Sequence, residues 1–463
     1  MNEAELLLAL KSALARAGEP EADLYAQLSR RGFARFAVGR LDQHMALEEP
    51  QALARVARGR RVAEVATTDL SEAALLAAIQ AAAKLAPRVP EDPSFTGFAA
   101  LDQPPAAATA PRFAAATASC DAERRVDLLA PALEAVTSAG LVPTGALDTA
   151  LTVQAVATTH GLARAHTGTS AVFKIWALES AGAGGAAGHG HDAGIDVERL
   201  DIESETRRAI DDALRSRQPI ALPAGEYDTV LEAPALSELV EWLGMIGFGA
   251  REFQQGSSPL SERLGQRISG SALDVVEDPF GPHGFASPFD RDGVTRQRVT
   301  LIERGVARGV LCDRAWAPRI GRNSTGNASP AGSFSEGGPV PATLVVSGGS
   351  AESTDELVRG VERGLFVRRL HYVNGMLEPR RAVMTGLTRD GTFLIENGKL
   401  THPVRNLRFT DSLLEAFERV DAVTRAQRVV PNWWLESGVT VAPAVRIRRF
   451  RFSSGSQRAP DPS

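Results

Sequence analysis

An α+β fold is predicted for this chain of 463 residues, with an N-terminal α/β region of antiparallel strands and helices and a C-terminal domain built as a large antiparallel β-sheet or barrel. Three observations predict it. The length suits two or three domains. Helical and strand-like runs alternate up to about residue 218, and from about residue 220 short alternating segments punctuated by Gly and Pro follow one another. Hydrophobic residues make up 44% and charged residues 23%, which favours neither a disordered nor a fibrous class.

Residues 1–95 are expected to form an α+β subdomain. The opening MNEAELLLALKSALARAGEPEADLY reads as an amphipathic helix with early acidic residues, not as a basic stretch followed by an apolar one and a cleavage site. Alternating apolar positions from Tyr25 to Leu70 predict antiparallel strands. Asp69 and Ser71 offer caps for the Ala/Leu-rich helix that follows, and the Pro-rich stretch from Pro87 to Pro111 breaks the pattern as a connection.

Residues 112–218 are expected to form a second, α/β subdomain, with helices at Ala122–Ala139 and Asp196–Arg217 around strand-like TGALDTALTVQAVATTHGLARAHTGTSAVFKIWALES. The Gly-rich stretch at 182–194 reads as a mobile surface loop with His189 and His191 solvated. Those two histidines, at i and i+2, would hold a metal only with further ligands.

Residues 220–463 make the β-rich domain, through EYDTVLEA, QRVTLIERGVARGVLCD, PATLVVSGG, GLFVRRLHYV and their successors. LSELVEWLGMIGFGAREFQQG, Leu236 to Gly256, is its main helix, and Ser412–Val423 a late one. The terminal VRIRRFRF reads as a strand with its arginines outward. With a net charge of -5 and no other long single-sign run, nucleic-acid binding is not favoured. Cys120 and Cys312 sit too far apart, in unlike contexts, for a disulfide framework, and Cys312 reads as a small core residue. No run approaches the roughly 18 apolar residues of a membrane span. A cytoplasmic location, away from membranes, is expected.

Three stretches carry a family resemblance: GSSPLSERLGQRISGSALDVVEDP (Gly256–Pro279), SPFDRDGVTRQRVTLIERGVARGVLCDRAWAPRIGRNSTGNA (Ser287–Ala328) and LTRDGTFLIENGKLTHPVRNLRFTDSLLEAFERV (Leu387–Val420). Together they resemble the TldD/TldE family, also called PmbA or modulator-of-gyrase proteins, through the C-terminal half. TTDLSEAALLAAIQAAAKLA matches more weakly. The resemblance implies a catalytic partner, TldD-like, with a zinc site built from HExxxH on the helix equivalent to Leu236–Gly256 and a cysteine near the C-terminus. Two histidines about one turn apart would face one metal, with the Glu as base for its water. Here that helix offers Glu238, Glu241 and Trp242, then LGMIGFG, and no histidine. Where the cysteine is expected the sequence reads RAQRVVPNWWLESGVTVAP, with Trp433 and Trp434.

The chain thus resembles the TldE side: a metal-free, non-catalytic subunit without a cofactor of its own, paired with a zinc-bearing TldD-like chain in a heterodimer that takes extended, unfolded or modified peptide and cuts it. No catalytic or metal-ligating residue is assigned. Sheet edges and glycine-rich turns can hold extended peptide, and the candidates are Arg251 and Glu252 at the end of the helix and Asn323, Ser324, Thr325 and Asn327 in GRNSTGNASPAGSFSEGG (Gly321–Gly338). A plain solvent-exposed connection is the competing reading of that loop. Two other functions stay open: a peptidase with a rearranged site drawn from His189, His191, His283 or His371 plus carboxylates, and a stand-alone peptide-binding homodimer without proteolysis. A histidine pair restored near Gly244 and Phe248 is not expected to create activity, because the thiolate and the orienting groups are missing too.

Overall fold

Asn2 starts the first helix, α1 (Glu3–Ala17), through reciprocal bonds with Glu5, each 3.0 Å, that satisfy two otherwise orphan amides. The computed structural model describes residues 1–100, 111–180, 185–329, 337–432 and 438–454. After α1 come β1 (Ala22–Ala37), β2 (Arg40–Arg58), β3 (Arg61–Thr67), α2 (Glu72–Leu85), α3 (Ala115–Ala118), α4 (Ala122–Ser138), β4 (Val142–Thr158), β5 (Ala163–Leu178), β6 (Ala187–Gly194) and α5 (Ile202–Arg215). The strands form one antiparallel sheet in the order β3-β2-β1-β4-β5-β6.

The expected division into 1–95 and 112–218 therefore does not separate two units. β1 pairs with β4 from Asp23 opposite Thr158 to Phe36 opposite Gly145, so both segments share one sheet. Period-two alternation puts Leu24, Ala26 and Leu28 of β1 under α1 and α2, while Phe36, Leu147 and Phe173 lie under α4 and α5 on the same face. The opposite face is turned to the C-terminal domain, where Tyr25, Leu53 and Val156 pack with Phe289.

The C-terminal domain runs β7 (Gly225–Leu231), α6 (Ala233–Gly247), α7 (Ala250–Gln254), β8 (Asp274–Glu277), β9 (Val299–Glu303), β10 (Val306–Ala307), β11 (Thr343–Ser347), α8 (Thr354–Arg359), β12 (Arg363–Glu378), β13 (Val383–Glu396), β14 (Lys399–Pro403), β15 (Arg408–Ser412), α9 (Leu413–Glu418), β16 (Val420–Pro431) and β17 (Val439–Ser454). Its sheet follows β10-β9-β8-β11-β17-β15-β13-β12-β7, and β7 also pairs with β17. That extra pairing closes β17, β15, β13, β12 and β7 into a ring, the barrel-like element the alternating segments predict. α6 packs on β12 and β17, and all of its residues except Glu238 are buried. A helix apolar on every side belongs in a core, which accounts for the run LGMIGFG.

The stretch Leu236–Gly256 is not one helix. Gly249 is extended, and Leu311 takes over the backbone bonding: its amide donates to the Phe248 carbonyl at 2.7 Å, and the Ala250 amide donates to its carbonyl at 2.8 Å. Arg251 and Glu252 consequently sit on α7.

The stretch 182–194 is corrected as well. Its described part, from residue 185, enters β6 at Ala187, and His189 and His191 are buried. The reason is the sequence Gly-His-Gly-His. Gly188 and Gly190 face α5 so closely that a Cβ at either would overlap the backbone carbonyls of Ala209 and Glu205. The alternate positions, the histidines, point away from α5. Gly190→Ala is expected to cost about 1–3 kcal/mol of stability, the scale of overpacking, in urea unfolding. Gly194→Ala, whose Cβ would meet nothing nearer than 3.9 Å, is expected to cost much less. Equal losses would show that the close approach is not what holds β6.

Candidate functional site

His189 and His191 enter a cleft of about 50 Å³ between β6 and α6. That is room for a few ordered waters or a side-chain-sized group. Lys174 reaches it from β5, Ser237, Glu238 and Glu241 from the start of α6, and Arg369 from β12; Asn432, just after β16, closes the edge. Period two on β5 places Lys174 and Trp176 on the same side as the histidines, because Lys174 pairs with His191 and Trp176 with His189. The two imidazoles stack with centroids 5.3 Å apart, and His189 lies 4.6 Å from the Trp176 ring. The Trp176 indole donates to Asp390 at 3.0 Å, and the same carboxylate receives Arg369 at 3.0 Å.

Burial dominates the electrostatics. It pushes both histidines well below their ordinary value, and the nearby Arg369, Arg428 and Lys174 push the same way, so both rings are neutral at pH 7. Burial lowers the Lys174 pKa, with Glu241 pulling it back. Burial raises Glu238 to about 7 against the pull of Arg369, so this carboxyl keeps its proton to near neutrality. Nε2 of His191 is buried without a hydrogen-bond partner among the described residues. Behind the cleft, α5 is tied to the C-terminal domain by ion pairs of Glu205 with Arg428 at 2.7 Å and of Asp212 with Arg368 at 2.7 Å; Arg368 also pairs with Glu232, within the C-terminal domain, at 2.6 Å. The Glu205 carboxylate also accepts the His191 amide at 3.2 Å.

This donor set does not suit a divalent metal. Lys174 and Arg369 share the cleft with the histidines, and among the described residues no group of three or more His, Cys, Asp and Glu is placed to hold a metal ion. His283 is exposed on a loop elsewhere. His371 lies beyond the cleft along β12, its Nδ1 3.5 Å from Arg369. Gly244 and Phe248, where a restored pair was considered, are buried away from the cleft; a Cβ on Gly244 would come within 3.0 Å of both Leu344 and Pro341. Trp433 and Trp434 lie outside the described residues.

The peptide-binding candidates gather elsewhere. Arg251 lies over Gly338, and Glu252, its carboxyl pKa raised by burial, folds back over Gly249. Asn323 is exposed and, with Thr325, borders a second groove beside β9. Ser324 and Thr325 turn their hydroxyls to the Cys312 backbone: Thr325 Oγ1 accepts the Cys312 amide at 2.8 Å, and Ser324 Oγ donates to its carbonyl at 3.3 Å. Asn327 is buried, and its side-chain amide donates to the Val340 carbonyl at 3.1 Å and to Glu277 at 3.3 Å, so it holds the loop together. Residues 330–336 of that loop are outside the described part. Cys312 is the core residue expected of it, its thiol pushed up to about 11 by burial. The sequence reading missed the cleft itself, although the alternation at Gly188–His191 carried its signal.

A closed β-ring with an apolar helix packed on it, beside a helix-covered antiparallel sheet, is shared with several solved structures. TldE from Thermococcus kodakarensis superposes with a TM-score of 0.88 at 18% identity, covering 96% of this chain and 100% of that one. A protein from Thermotoga maritima described as a modulator of a DNA gyrase superposes at 0.84, also at 18% identity, over 97% of this chain and 100% of its own. At such identity the likeness shows the fold. Residues 224–454 match the family model of the PmbA/TldA metallopeptidase C-terminal domain. A metalloprotease of Methanothermobacter thermautotrophicus is 28% identical over 283 residues, 59% of this chain and 61% of that protein. The metalloprotease TldD homologue of Haemophilus influenzae is 25% identical over 47% of this chain and 44% of its own. The matched regions thus span about half of those curated relatives. The chain belongs to the PmbA/TldD metallopeptidase family. Among its described residues no helix is long and apolar enough to cross a membrane.

The Glu238 carboxyl generates a test. Its pKa rises from an ordinary 4.5 to about 7 on folding, so the folded state keeps a proton that the unfolded state has lost, and stability falls as pH rises through that window. Glu238→Gln removes this penalty. Its stability relative to the parent chain is expected to increase between pH 4.5 and 8 by something on the order of 1–3 kcal/mol, read by urea unfolding at both pH values. A difference that does not change with pH would refute the buried, proton-holding carboxyl.

Proposed function

We propose that this chain is the non-catalytic, TldE-like subunit of a two-chain metallopeptidase, in which a related HExxxH-bearing chain supplies zinc and cleavage while this one helps enclose and hold an extended peptide. One observation carries the reading. Ser237-Glu238-Leu239-Val240-Glu241-Trp242 has the spacing of HExxxH, with Ser237 and Trp242 where the histidines would stand. Ser237 lines the cleft, and Trp242 is buried against Gly375 in the core. The Glu of the pattern remains, its carboxyl under the pull of Arg369 in a cleft that Lys174 also lines. No catalytic step is derived for the cleft, because its residues do not fit the metal such a step would need. The segment just before Trp433 closes the cleft edge, and in this family resemblance that segment is where a cysteine ligand would be sought.

Elemental analysis and a peptide-cleavage assay should be run on this chain alone and on its mixture with the related HExxxH chain of the same source. Metal and cleavage are expected in the mixture only. Stoichiometric zinc in the lone chain would overturn the assignment. The double substitution Ser237→His and Trp242→His is expected to give neither zinc binding nor cleavage alone, since Lys174 still occupies the cleft. Activity in that variant would show that far less of a site is missing than the residues indicate.

A further inference from the structure

The groove beside β9 has a volume of about 460 Å³, within the range of roughly 300–1,000 Å³ typical of ligand sites. Val299 gives it a partly exposed apolar side, with the Val310 and Cys312 side chains buried beneath; Arg298, Arg308 and Arg322 bring three guanidinium groups, and among the described residues no carboxylate lines it. Arg298 has one acidic neighbour, Asp278 at 3.3 Å, and Arg308 one, Glu303 at 2.9 Å. Both pairs are open to water, so they are weak and exchangeable. Arg322 is exposed and makes no ion pair among the described residues; its backbone amide donates to the Ala317 carbonyl at 3.0 Å and fixes where the side chain starts. Three guanidinium groups, of which Arg298 and Arg308 have one acidic neighbour each and Arg322 none among the described residues, make the groove locally cationic in a chain whose formal net charge is -5.

We infer that this groove seats an acidic segment of an extended peptide. Asp or Glu side chains of the segment meet Arg298, Arg308 and Arg322, whose planar guanidinium groups take carboxylates bidentately. An apolar side chain on the alternate side of the segment rests on the partly exposed Val299, the two-sided readout natural to an extended chain. A nucleic acid is the poorer fit, because among the described residues no aromatic side chain lines the groove to stack on a base. The inference rests on the peptide-handling reading above and narrows it to acidic segments.

The test uses the full chain alone, by fluorescence anisotropy, with labelled peptides of alternating Glu and Val, Gln and Val, or Lys and Val, and with a labelled oligothymidylate. The Glu peptide is expected to bind at least about tenfold more tightly than the Gln peptide, the scale of one charge-assisted contact, and to weaken as salt is raised. Arg322→Glu and, separately, Arg298→Glu are expected to weaken the Glu peptide by about tenfold and improve the Lys peptide, with unfolding midpoints unchanged. Equal affinity for Glu and Gln peptides, indifference to both substitutions, or tighter binding of the oligothymidylate would overturn the inference. Since no catalytic partner is present, the outcome stands apart from the cleavage assay. Acidic-peptide binding without cleavage in the mixture would sink the two-chain reading alone, and cleavage without acidic preference would sink this inference alone.

Discussion

The close approach of β6 to α5 governs how the N-terminal sheet meets the rest of the molecule. With no Cβ at Gly188 and Gly190, the strand lies directly on the backbone of the helix. The period of two leaves His189 and His191 no choice but the opposite face. That face is the one turned toward the C-terminal domain, and the histidines arrive there beside Trp176 and Lys174 of β5. The same helix then sends Glu205 and Asp212 across the junction to Arg428 and Arg368. Breaking one partner of such a buried pair leaves an uncompensated charge, so the junction favours one arrangement of the two halves.

A second contact of the same kind lies further along the sheet. Arg55 of β2 sits between Asp23 of β1 and Asp292 of the C-terminal domain, with the latter 2.7 Å away. Arg164 donates to the Gly293 carbonyl and to Thr295, both at 2.7 Å. Guanidinium groups suit these places because several donors can be satisfied at once when water is excluded. Part of the non-helical face of the sheet is thus covered by an apolar cluster around Phe289, with the Arg55 and Arg164 contacts beside it.

The sequence made some of this readable and concealed the rest for physical reasons. Capped, periodic helices were legible: α4 begins at Ala122 after Asp121 accepts the Arg124 amide, and the structure starts it where the sequence does. The β-rich half was legible too, because its strands alternate and are punctuated by Gly and Pro. The pairing of β1 with β4 was not, since it joins residues more than a hundred positions apart and leaves no local mark. Gly249 reads as an ordinary interruption of an apolar run; only Leu311, distant in sequence, makes it the end of α6. At Gly188–His191 the composition suggested a flexible loop while the alternation was that of a strand, and tertiary packing decided between them. Among the candidate residues, Asn323 and Thr325 do border a groove, whereas Asn327 belongs to the scaffold because its amide is satisfied internally.

On the proposed reading, the place of α6 explains how this fold can stand without metal ligands on its helix. Apart from Glu241, the helix from Leu239 to Gly247 is core: Gly244 lets Leu344 and Pro341 close in, and Gly247 lets Pro259 do the same. Only its first turns reach the cleft, through Ser237, Glu238 and Glu241. Substitutions there change the chemistry of the recess and leave the apolar seam intact, so fold and metal site are separable along a single helix. The converse is harder, because a side chain at Gly244 would press on the Leu344 and Pro341 side chains. On the proposed reading, peptide holding lies with the arginine-lined groove beside β9, which shares no lining residue with the cleft. A chain whose cleft carries buried cations can therefore keep a binding surface under independent physical control.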